Sequence, residues 1–362
     1  GLIGHDPWKT EDAVTFSIAS EMLDRNDIVA PILVGQPEFE HGVLVPALAA
    51  VTERLFSPPL APHNGARLAV GILLVFILLF ASMASRELNG RAFRWLPVLI
   101  LVGSVGFFDR AHALSADVGA TLGVAIALYG LALALRRPIG GGVAIGLGTA
   151  IGFLARGFEV PLWIGFTCLL LPLAGSRWRS KSFAATVGIA VAVSALLGGT
   201  WPFALYMRDT HLFAAWRAAE RLSDYAGWMG DPGAFDPLYA LKNLLWFAWP
   251  ALPLVLWALW IRGRGFNGGL ARPGVQIPAV LSIVILGGLV LMTSATLTAM
   301  LPLLVPLAVL ASLEVDTLKR GFSGALDWFG ILTFGLVATL LWFLWIDAYF
   351  NSMSPAVARF FR

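Results

Sequence analysis

The sequence predicts an all-α fold, a polytopic bundle of membrane helices with an external loop that carries an interfacial helix. Of the 362 residues, 58% are hydrophobic and 13% are charged, with a mean hydropathy of +0.79. A soluble domain needs more polar surface than this. About ten apolar runs are long enough to cross roughly 30 Å of hydrocarbon, if some helices are short or tilted. They lie near 68–84, 95–109, 113–134, 138–155, 158–175, 182–206, 241–261, 276–293, 297–313 and 327–347.

The segments between these runs alternate in charge. One set is rich in basic residues, which the positive-inside rule places in the cytoplasm. Its members are Arg86, Arg91, Arg94, Arg136, Arg137, Arg177, Arg179, Lys181, Arg262, Arg264, Arg272, Lys319 and Arg320. The other set carries almost every acidic or histidine candidate and is expected outside. The predicted organisation is therefore an external loop 1–64, a transmembrane domain 65–348 with an external loop 207–240, and an external tail 349–362. We expect a further helix before this segment and a further part after it.

Composition argues against several other functions. The net charge is +3 and the pI is about 9.2, but the basic residues are scattered between apolar runs, so we expect no nucleic-acid binding. The single cysteine, Cys168, lies in an apolar run and supports neither a disulfide framework nor a cysteine metal site. The glycine run from Gly140 to Gly152 has no preceding strand, which favours close helix packing over a phosphate loop.

The first external segment contains two acidic clusters. Glu11 and Asp12 fall in the first turn of a predicted helix that Thr10 can cap. An apolar stripe at helical spacing predicts that this helix lies along the membrane interface; it consists of Val14, Ile18 and Met22. Helix-start electrostatics would by itself explain the first cluster. A second cluster of Glu38, Glu40 and His41 in the same segment favours a functional site.

Two further charged residues stand at predicted span ends. Asp117 lies just inside a span, where an ionised carboxylate costs several kcal/mol unless it faces polar partners or water. It is a site candidate, or else it simply pairs with Arg110 or His112. Arg156 lies in a short external turn, where it either contacts an anionic ligand or anchors the helix at the interface.

Short motifs follow one another along nearly the whole chain. They are Asp6-Pro-Trp-Lys-Thr-Glu-Asp-Ala13, Ile18-Ala-Ser-Glu-Met22, Pro31-Ile-Leu-Val-Gly-Gln-Pro-Glu-Phe-Glu-His41, His112-Ala-Leu-Ser-Ala-Asp117, Gly152-Phe-Leu-Ala-Arg-Gly157, Trp201-Pro-Phe-Ala-Leu-Tyr206 and Leu301-Pro-Leu-Leu-Val-Pro306. Their order resembles glycosyltransferase family 39, a class of C-type membrane glycosyltransferases that includes protein O-mannosyltransferases and the lipid A aminoarabinose transferase. The chain departs from the family pattern in three places. The acidic pair is reversed as Glu11-Asp12, His41 replaces a lysine, and residues 294–300 lack a basic residue and a tyrosine.

The resemblance implies a glycosyltransferase that moves a sugar from a polyprenyl-phosphate donor to an extracytoplasmic acceptor: lipid A, another glycan or lipid, or a protein. It also implies a bacterial inner-membrane location with the site facing the periplasm. Glu11 would be the catalytic base, with Asp12 as helper or alternative base. Residues expected to bind the donor phosphate or sugar are Lys9, Glu40, His41, Arg110, His112, Asp117 and Arg156. A divalent metal ion held by Glu40 with His41 or His112 stays open, because no ligand spacing demands one.

Two other functions remain open at this stage. A lipid or solute transporter or flippase would place charged groups at mid-membrane depth on several helices, whereas a transferase would gather them at one interface. No internal repeat is evident, which weakens the case for a transporter built from two related halves. The departures from the family pattern also leave room for a catalytically inactive relative.

Overall fold

The computed structural model describes Pro7 and residues 9–220, 236–292, 296–318 and 320–350. The chain forms two compact units, Gly1–Glu314 and Val315–Arg362. In the described part the only sheet is a two-stranded antiparallel hairpin, formed by β1 (Ile32–Leu33) and β2 (Gln36–Pro37). Helices make up nearly everything else, so the predicted all-α membrane fold is confirmed.

The helices of the first unit follow one another with short connections. They are α1 (Lys9–Asp24), α2 (Leu44–Phe56), α3 (Pro62–Asn89), α4 (Leu96–Gly103), α5 (Val105–Arg110), α6 (Ala116–Ala134), α7 (Pro138–Arg156), α8 (Glu159–Ala174), α9 (Lys181–Gly198), α10 (Thr200–Arg208), α11 (Thr210–Ala219), α12 (Tyr239–Phe247), α13 (Ala251–Gly263), α14 (Pro273–Leu291) and α15 (Leu301–Ala311). The second unit contains one long helix, α16 (Arg320–Phe350). Its stretch Asp327–Asp347 is long and apolar enough to cross a membrane.

The ten predicted apolar runs all fall on helices, but they differ in length and continuity. In the described part, six helices are long and apolar enough to cross a membrane, and the pair α12 and α13 adds a span bent by 91°. The run 95–109 is broken at Ser104, where the backbone is extended, and α8 and α15 are shorter than a full span. The bend between α12 and α13 coincides with Pro250, which cannot donate a helical hydrogen bond. About ten apolar runs were predicted, and in the described part six or seven of them form spans of full length while the others are short or broken.

Glycines bring α6 and α7 into close antiparallel contact. A Cβ on Gly123 would lie 2.7 Å from the Gly148 carbonyl oxygen, and one on Gly130 would lie 2.6 Å from the Ile145 nitrogen. These distances leave no room for any side chain. The glycine run in α7 therefore serves helix packing, as predicted, and α6 is buried along most of its length.

Helix α1 differs from its prediction in two respects. It begins at Lys9, so Thr10 lies inside the helix and is not its N-cap. Ile18 and Met22 of the predicted lipid-facing stripe are 0% and 1% exposed, because α1 packs against α2 within the protein. The stripe is therefore covered by protein, and contact of α1 with the membrane interface stays a prediction.

The back-and-forth course of the chain gives the bundle two different ends. Gly119 at the start of α6 meets Ala155 at the end of α7, and Gly175 after α8 meets Gln276 at the start of α14. The first pair marks the end that carries the acidic candidates. The second pair lies at the opposite, arginine-rich end, as the charge alternation predicted.

Candidate active site

Asp12 is held inside the protein by groups from two other parts of the chain. Its residue is only 4% exposed, and one carboxylate oxygen accepts a hydrogen bond from the guanidinium of Arg67 in α3. The other oxygen accepts a bond of 2.8 Å from the backbone N–H of Leu114, just before α6. Asp12 thus connects α1 to α3 and to the start of α6, and these contacts stabilise the fold.

Glu11 has a different environment although it is the neighbouring residue. It is half-buried, and its Oε1 accepts a hydrogen bond of 3.1 Å from the Thr298 hydroxyl. Thr298 is 3% exposed, and its hydroxyl lies 2.9 Å from that of Thr296. The N–H of Ala299 donates to the Thr296 hydroxyl at 3.2 Å, which fixes this turn before α15. Glu11 therefore has a carboxylate that is oriented by a hydroxyl and still partly accessible.

Arg156 lies between two carboxylates. Its guanidinium bonds Asp117 at the start of α6, and its Nε donates to Glu159 at 2.6 Å at the start of α8. Asp117 and Glu159 have side chains only 4% and 10% exposed. Asp117 therefore pairs with Arg156 rather than with Arg110, whose Nε lies 2.6 Å from its neighbour Asp109.

A third carboxylate stands beside this network. Gly157 has a left-handed φ of +63°, and a Cβ there would lie 2.5 Å from Oε1 of Glu220. Glu220 follows α11, so the loop after the membrane helices reaches the turn next to Arg156. The turn therefore brings the Glu220 carboxylate close to the network of Asp117, Arg156 and Glu159.

The second acidic cluster is anchored on the same turn. The N–H of Val43 donates to the carbonyl of Leu154 at 3.0 Å, and a Cβ on Gly42 would lie 2.1 Å from the Ala155 carbonyl oxygen. These contacts hold His41 close to the end of α7. His41 Nδ1 lies 3.4 Å from Oε1 of Glu38, so its carboxylate partner is Glu38 and not Glu40.

The predicted donor-binding residues thus lie at one end of the bundle. They differ in burial and in hydrogen-bond partners. Glu40 is exposed, and its N–H donates to Glu38 at 2.8 Å. His112 is partly buried in the turn before Leu114 and Asp12. The side chain of Lys9, the whole of Asp6 and residues 221–235 lie outside what the structure describes. Within the described ranges no three histidine, cysteine or acidic residues group as metal ligands.

Aromatic packing connects the described start of the loop 207–240 to this end of the bundle. The indole of Trp216 in α11 is T-shaped against Phe153 and against Trp201, with ring centroids 6.4 and 5.6 Å apart. Trp201 in turn donates to the carbonyl of Val29 at 2.8 Å. The described start of the loop, including α11, therefore lies over the same region as the second acidic cluster.

Sequence reasoning missed three residues of this site. Arg67 stands one residue before a predicted span, where an arginine is common, and Thr298 carries no charge that would mark it. Glu159 follows Arg156 by three residues, which is the spacing of a helical ion pair and was the one available signal. Partners distant in sequence were not predictable in this way.

The fold and this cluster of acids at one end define a polytopic membrane protein with the fold of the C-type glycosyltransferases. This agrees with the resemblance that the order of motifs indicates. The particular protein to which the chain is similar is the undecaprenyl phosphate-α-4-amino-4-deoxy-L-arabinose arabinosyl transferase, ArnT.

The similarity extends over nearly the whole chain. The transferase 1 of Pseudomonas fluorescens is 26% identical over 363 residues, which cover 98% of this chain and 63% of the relative. That of Serratia proteamaculans is 25% identical over 234 residues, which cover 62% of this chain and 41% of the relative. No family model matches the chain.

The solved structures agree with the sequence comparison. ArnT from Cupriavidus metallidurans bound to undecaprenyl phosphate superposes with a TM-score of 0.77 at 17% identity. Its apo form gives 0.72 at 16% identity, and in both cases 96% of this chain and 62% of the other are covered. The chain therefore spans less than two thirds of the length of these relatives.

Proposed function

We propose that this chain is a membrane glycosyltransferase that moves a sugar from a polyprenyl-phosphate donor to an acceptor outside the cytoplasm. The proposal places the protein in a bacterial inner membrane with the acidic end facing the periplasm. The observation that carries it is the contrast between Glu11 and Asp12, two neighbouring carboxylates on one helix of an ArnT-like fold. The Glu11 carboxylate is partly accessible, whereas both oxygens of the Asp12 carboxylate accept hydrogen bonds from the protein.

This contrast divides the roles of the pair. A general base must be able to approach the proton that it removes, which Asp12 cannot do while Arg67 and the Leu114 N–H occupy its oxygens. Thr298 orients Glu11 through one carboxylate oxygen, and the other oxygen accepts no hydrogen bond from the described residues. We therefore assign the base to Glu11 and a positioning role to Asp12.

The reaction that this geometry supports is a displacement at the anomeric carbon of the sugar. The acceptor hydroxyl oxygen forms the new bond to that carbon, Glu11 takes the hydroxyl proton, and the bond from the carbon to the phosphate oxygen breaks. The phosphate leaves with the bonding electrons and stays attached to its lipid. Holding donor and acceptor against one oriented carboxylate lowers the entropic part of the barrier.

The leaving phosphate needs a cation close by. Arg156 was the predicted partner, but both of its carboxylate contacts would have to loosen before it could bind a phosphate. Arg217 in α11 is exposed and forms no ion pair among the described residues, which makes it a second candidate. Lys9 and His41 retain their predicted roles in donor binding as part of this proposal.

The distribution of charge argues against transport through the middle of the membrane. Within the described membrane helices, the buried charged residues lie near helix ends: Arg67, Asp117, Glu159 and Arg262. Charges along a transport pathway would be expected at mid-depth on several helices. The arrangement supports chemistry at an interface instead.

The test is transfer of labelled sugar from purified polyprenyl-phosphate donor by membranes that contain the full-length protein. Glu11→Gln should lower the transfer rate by about a hundredfold or more, in line with the loss of a general base. Glu21→Gln is the matched control, since Glu21 lies on the same helix and only accepts a hydrogen bond from Val34 N at 2.6 Å. Normal transfer by Glu11→Gln would remove Glu11 as the base, and no transfer by the wild-type protein with any acceptor class would contradict the proposed enzyme.

A further inference from the structure

A cavity of about 600 Å³ lies at the arginine-rich end of the bundle, opposite the acidic site. Its wall is formed by the ends of α3, α6, α13 and α14 and by the turns after α8 and α15. Three arginines from different elements line it: Arg177, Arg262 and Arg272. Nothing in the proposed transfer reaction uses them.

Arg262 forms the fixed floor of this cavity. It is 4% exposed, its Nε lies 2.5 Å from Glu314 Oε1 as an ion pair, and its Nη1 donates to the Asn267 carbonyl. The Asn267 amide in turn donates to the same Glu314 carboxylate at 3.0 Å. The loop between α13 and α14 is thereby held in one conformation, with Asn267 itself at a left-handed φ of +51°.

Arg177 is positioned by the residue that follows it. The indole of Trp178 is 3% exposed and donates to Gln276 Oε1 at 2.8 Å. The Gln276 amide donates to the Ala174 carbonyl at 2.6 Å, so the turn after α8 is clamped to the first turns of α14. Arg177 is therefore held at the same cavity as Arg272, the residue that precedes α14.

The charge of the cavity is not balanced by the protein. Arg177 and Arg272 are exposed, and within the described ranges neither forms an ion pair. Only Glu314 offsets the third arginine. The N-terminus of α14, a helix of 19 residues, adds its positive dipole end at Pro273 and Gly274.

The rest of the wall holds Asn89 and Asn267 together with an apolar part. Leu88, Phe93, Leu135 and Leu313 line it. A soluble anion would use only the arginines, whereas a lipid would use both parts of the cavity. Basic pockets between membrane helices on the cytoplasmic side bind phosphate-bearing lipid headgroups. The positive-inside rule assigns the arginine-rich end to that side.

We propose that this cavity binds the phosphate of an anionic membrane lipid, with Arg177 and Arg272 as its direct partners and Arg262 as the buried support. The site is separate from the donor site, since it lies at the other end of the helices. Its shared chemistry is a phosphate group, which a lipid headgroup or inorganic phosphate can supply.

The test measures the affinity of the purified full chain for phosphatidylglycerol, with phosphatidylcholine and inorganic phosphate as comparison probes. Removing one arginine near a phosphate should weaken binding about fivefold, so Arg177→Gln with Arg272→Gln should weaken phosphatidylglycerol binding about 25-fold. Arg91→Gln is the matched control, because Arg91 is exposed at the same end but does not line the cavity. The double variant should melt normally without lipid, since the contacts of Arg262 are untouched.

The results of these binding measurements distinguish a lipid headgroup from inorganic phosphate as the ligand. Tighter binding of phosphatidylglycerol than of phosphatidylcholine, lost in the double variant alone, supports the lipid site. Equal loss of inorganic phosphate binding, with no preference between the two lipids, supports the phosphate site with a soluble ligand. Unchanged binding by the double variant, or equal loss in Arg91→Gln, would overturn the proposal.

Discussion

Asp12 in α1 and Arg67 in α3 form a buried ion pair although 55 residues separate them in the chain. Their side chains are 6% and 2% exposed, so each charge depends on the other for compensation. This pair is the reason why the proposed mechanism gives Asp12 a positioning role and no direct chemistry. It also determines where the neighbouring Glu11 points, because it fixes the first turn of α1 against the bundle.

Asp12→Asn is expected to destabilise the folded protein by about 3–5 kcal/mol, because Arg67 would stay buried without its counter-charge. The paired change Asp12→Leu with Arg67→Met should recover much of this loss, since no charge is then left buried. Thermal unfolding of the detergent-purified variants measures both effects. A fully stable Asp12→Asn protein that has lost only transfer would return Asp12 to a direct catalytic role.

Arg156→Met should also harm folding, because it leaves Asp117 and Glu159 without their shared cation. The sequence alone predicted mainly a loss of donor binding, whereas the two carboxylate contacts predict a loss of about 3–5 kcal/mol in stability. Arg208→Met is the control, since the Arg208 side chain is 59% exposed in its pair with Asp27 and should cost at most about 1 kcal/mol. If melting of Arg156→Met matched the control while donor affinity fell, Arg156 would be a phosphate ligand instead.

Gly42→Ala should displace the segment that carries His41 from the end of α7. A Cβ there would lie 2.1 Å from the Ala155 carbonyl oxygen, so the segment has to move. Gly35→Ala is the matched control, because Gly35 also has a positive φ but nothing within 4 Å of its Cβ position, and only about 1–2 kcal/mol of backbone strain is expected. Transfer activity and melting temperature should both fall further for Gly42→Ala, and equal effects in the two variants would show that the contact with α7 is unimportant.

Glu53 in α2 should make stability depend on pH. Its residue is 8% exposed, and burial, with help from the Asp24 carboxylate, raises the pKa of Glu53 above its ordinary value. A carboxyl group whose pKa is raised by folding favours the folded state below its unfolded pKa, and this contribution is lost as pH rises through the folded pKa. Glu53→Gln should therefore melt higher than the wild type at pH values above the folded pKa.

That difference should vanish at about pH 4 or below, where the carboxyl group is protonated in both states. Melting curves across the pH range measure it directly. A constant difference between the two proteins at every pH would mean that packing, and not ionisation, separates them.

Several features of the fold were predictable because they depend on local composition. Apolar runs must become helices in a bilayer, where each backbone polar group has to be satisfied within the segment. The glycine run of α7 and the separation of acids from arginines followed from the same kind of reasoning. Breaks such as those at Ser104 and Pro250 depend on neighbouring helices and were not foreseen as breaks.

The sequence predicted which residues are candidates for the site, but not which partners they contact. Glu11, Asp12, Asp117 and Arg156 all lie at the predicted end, but the sequence could not say which carboxylate is free. The identity of a partner such as Arg67 is decided by helix packing across 55 residues. The assignment of a partner to Asp117 was uncertain for the same reason.

The sequence by itself determined that this chain forms membrane helices with acids at one end and arginines at the other, because hydrophobicity and charge act on each segment separately. Only the tertiary structure decided that Asp12 forms a buried ion pair with Arg67 and that Arg156 binds both Asp117 and Glu159. It also decided that three arginines line one cavity. These outcomes depend on distances between side chains that are far apart in the chain, and such distances exist only once the helices have packed.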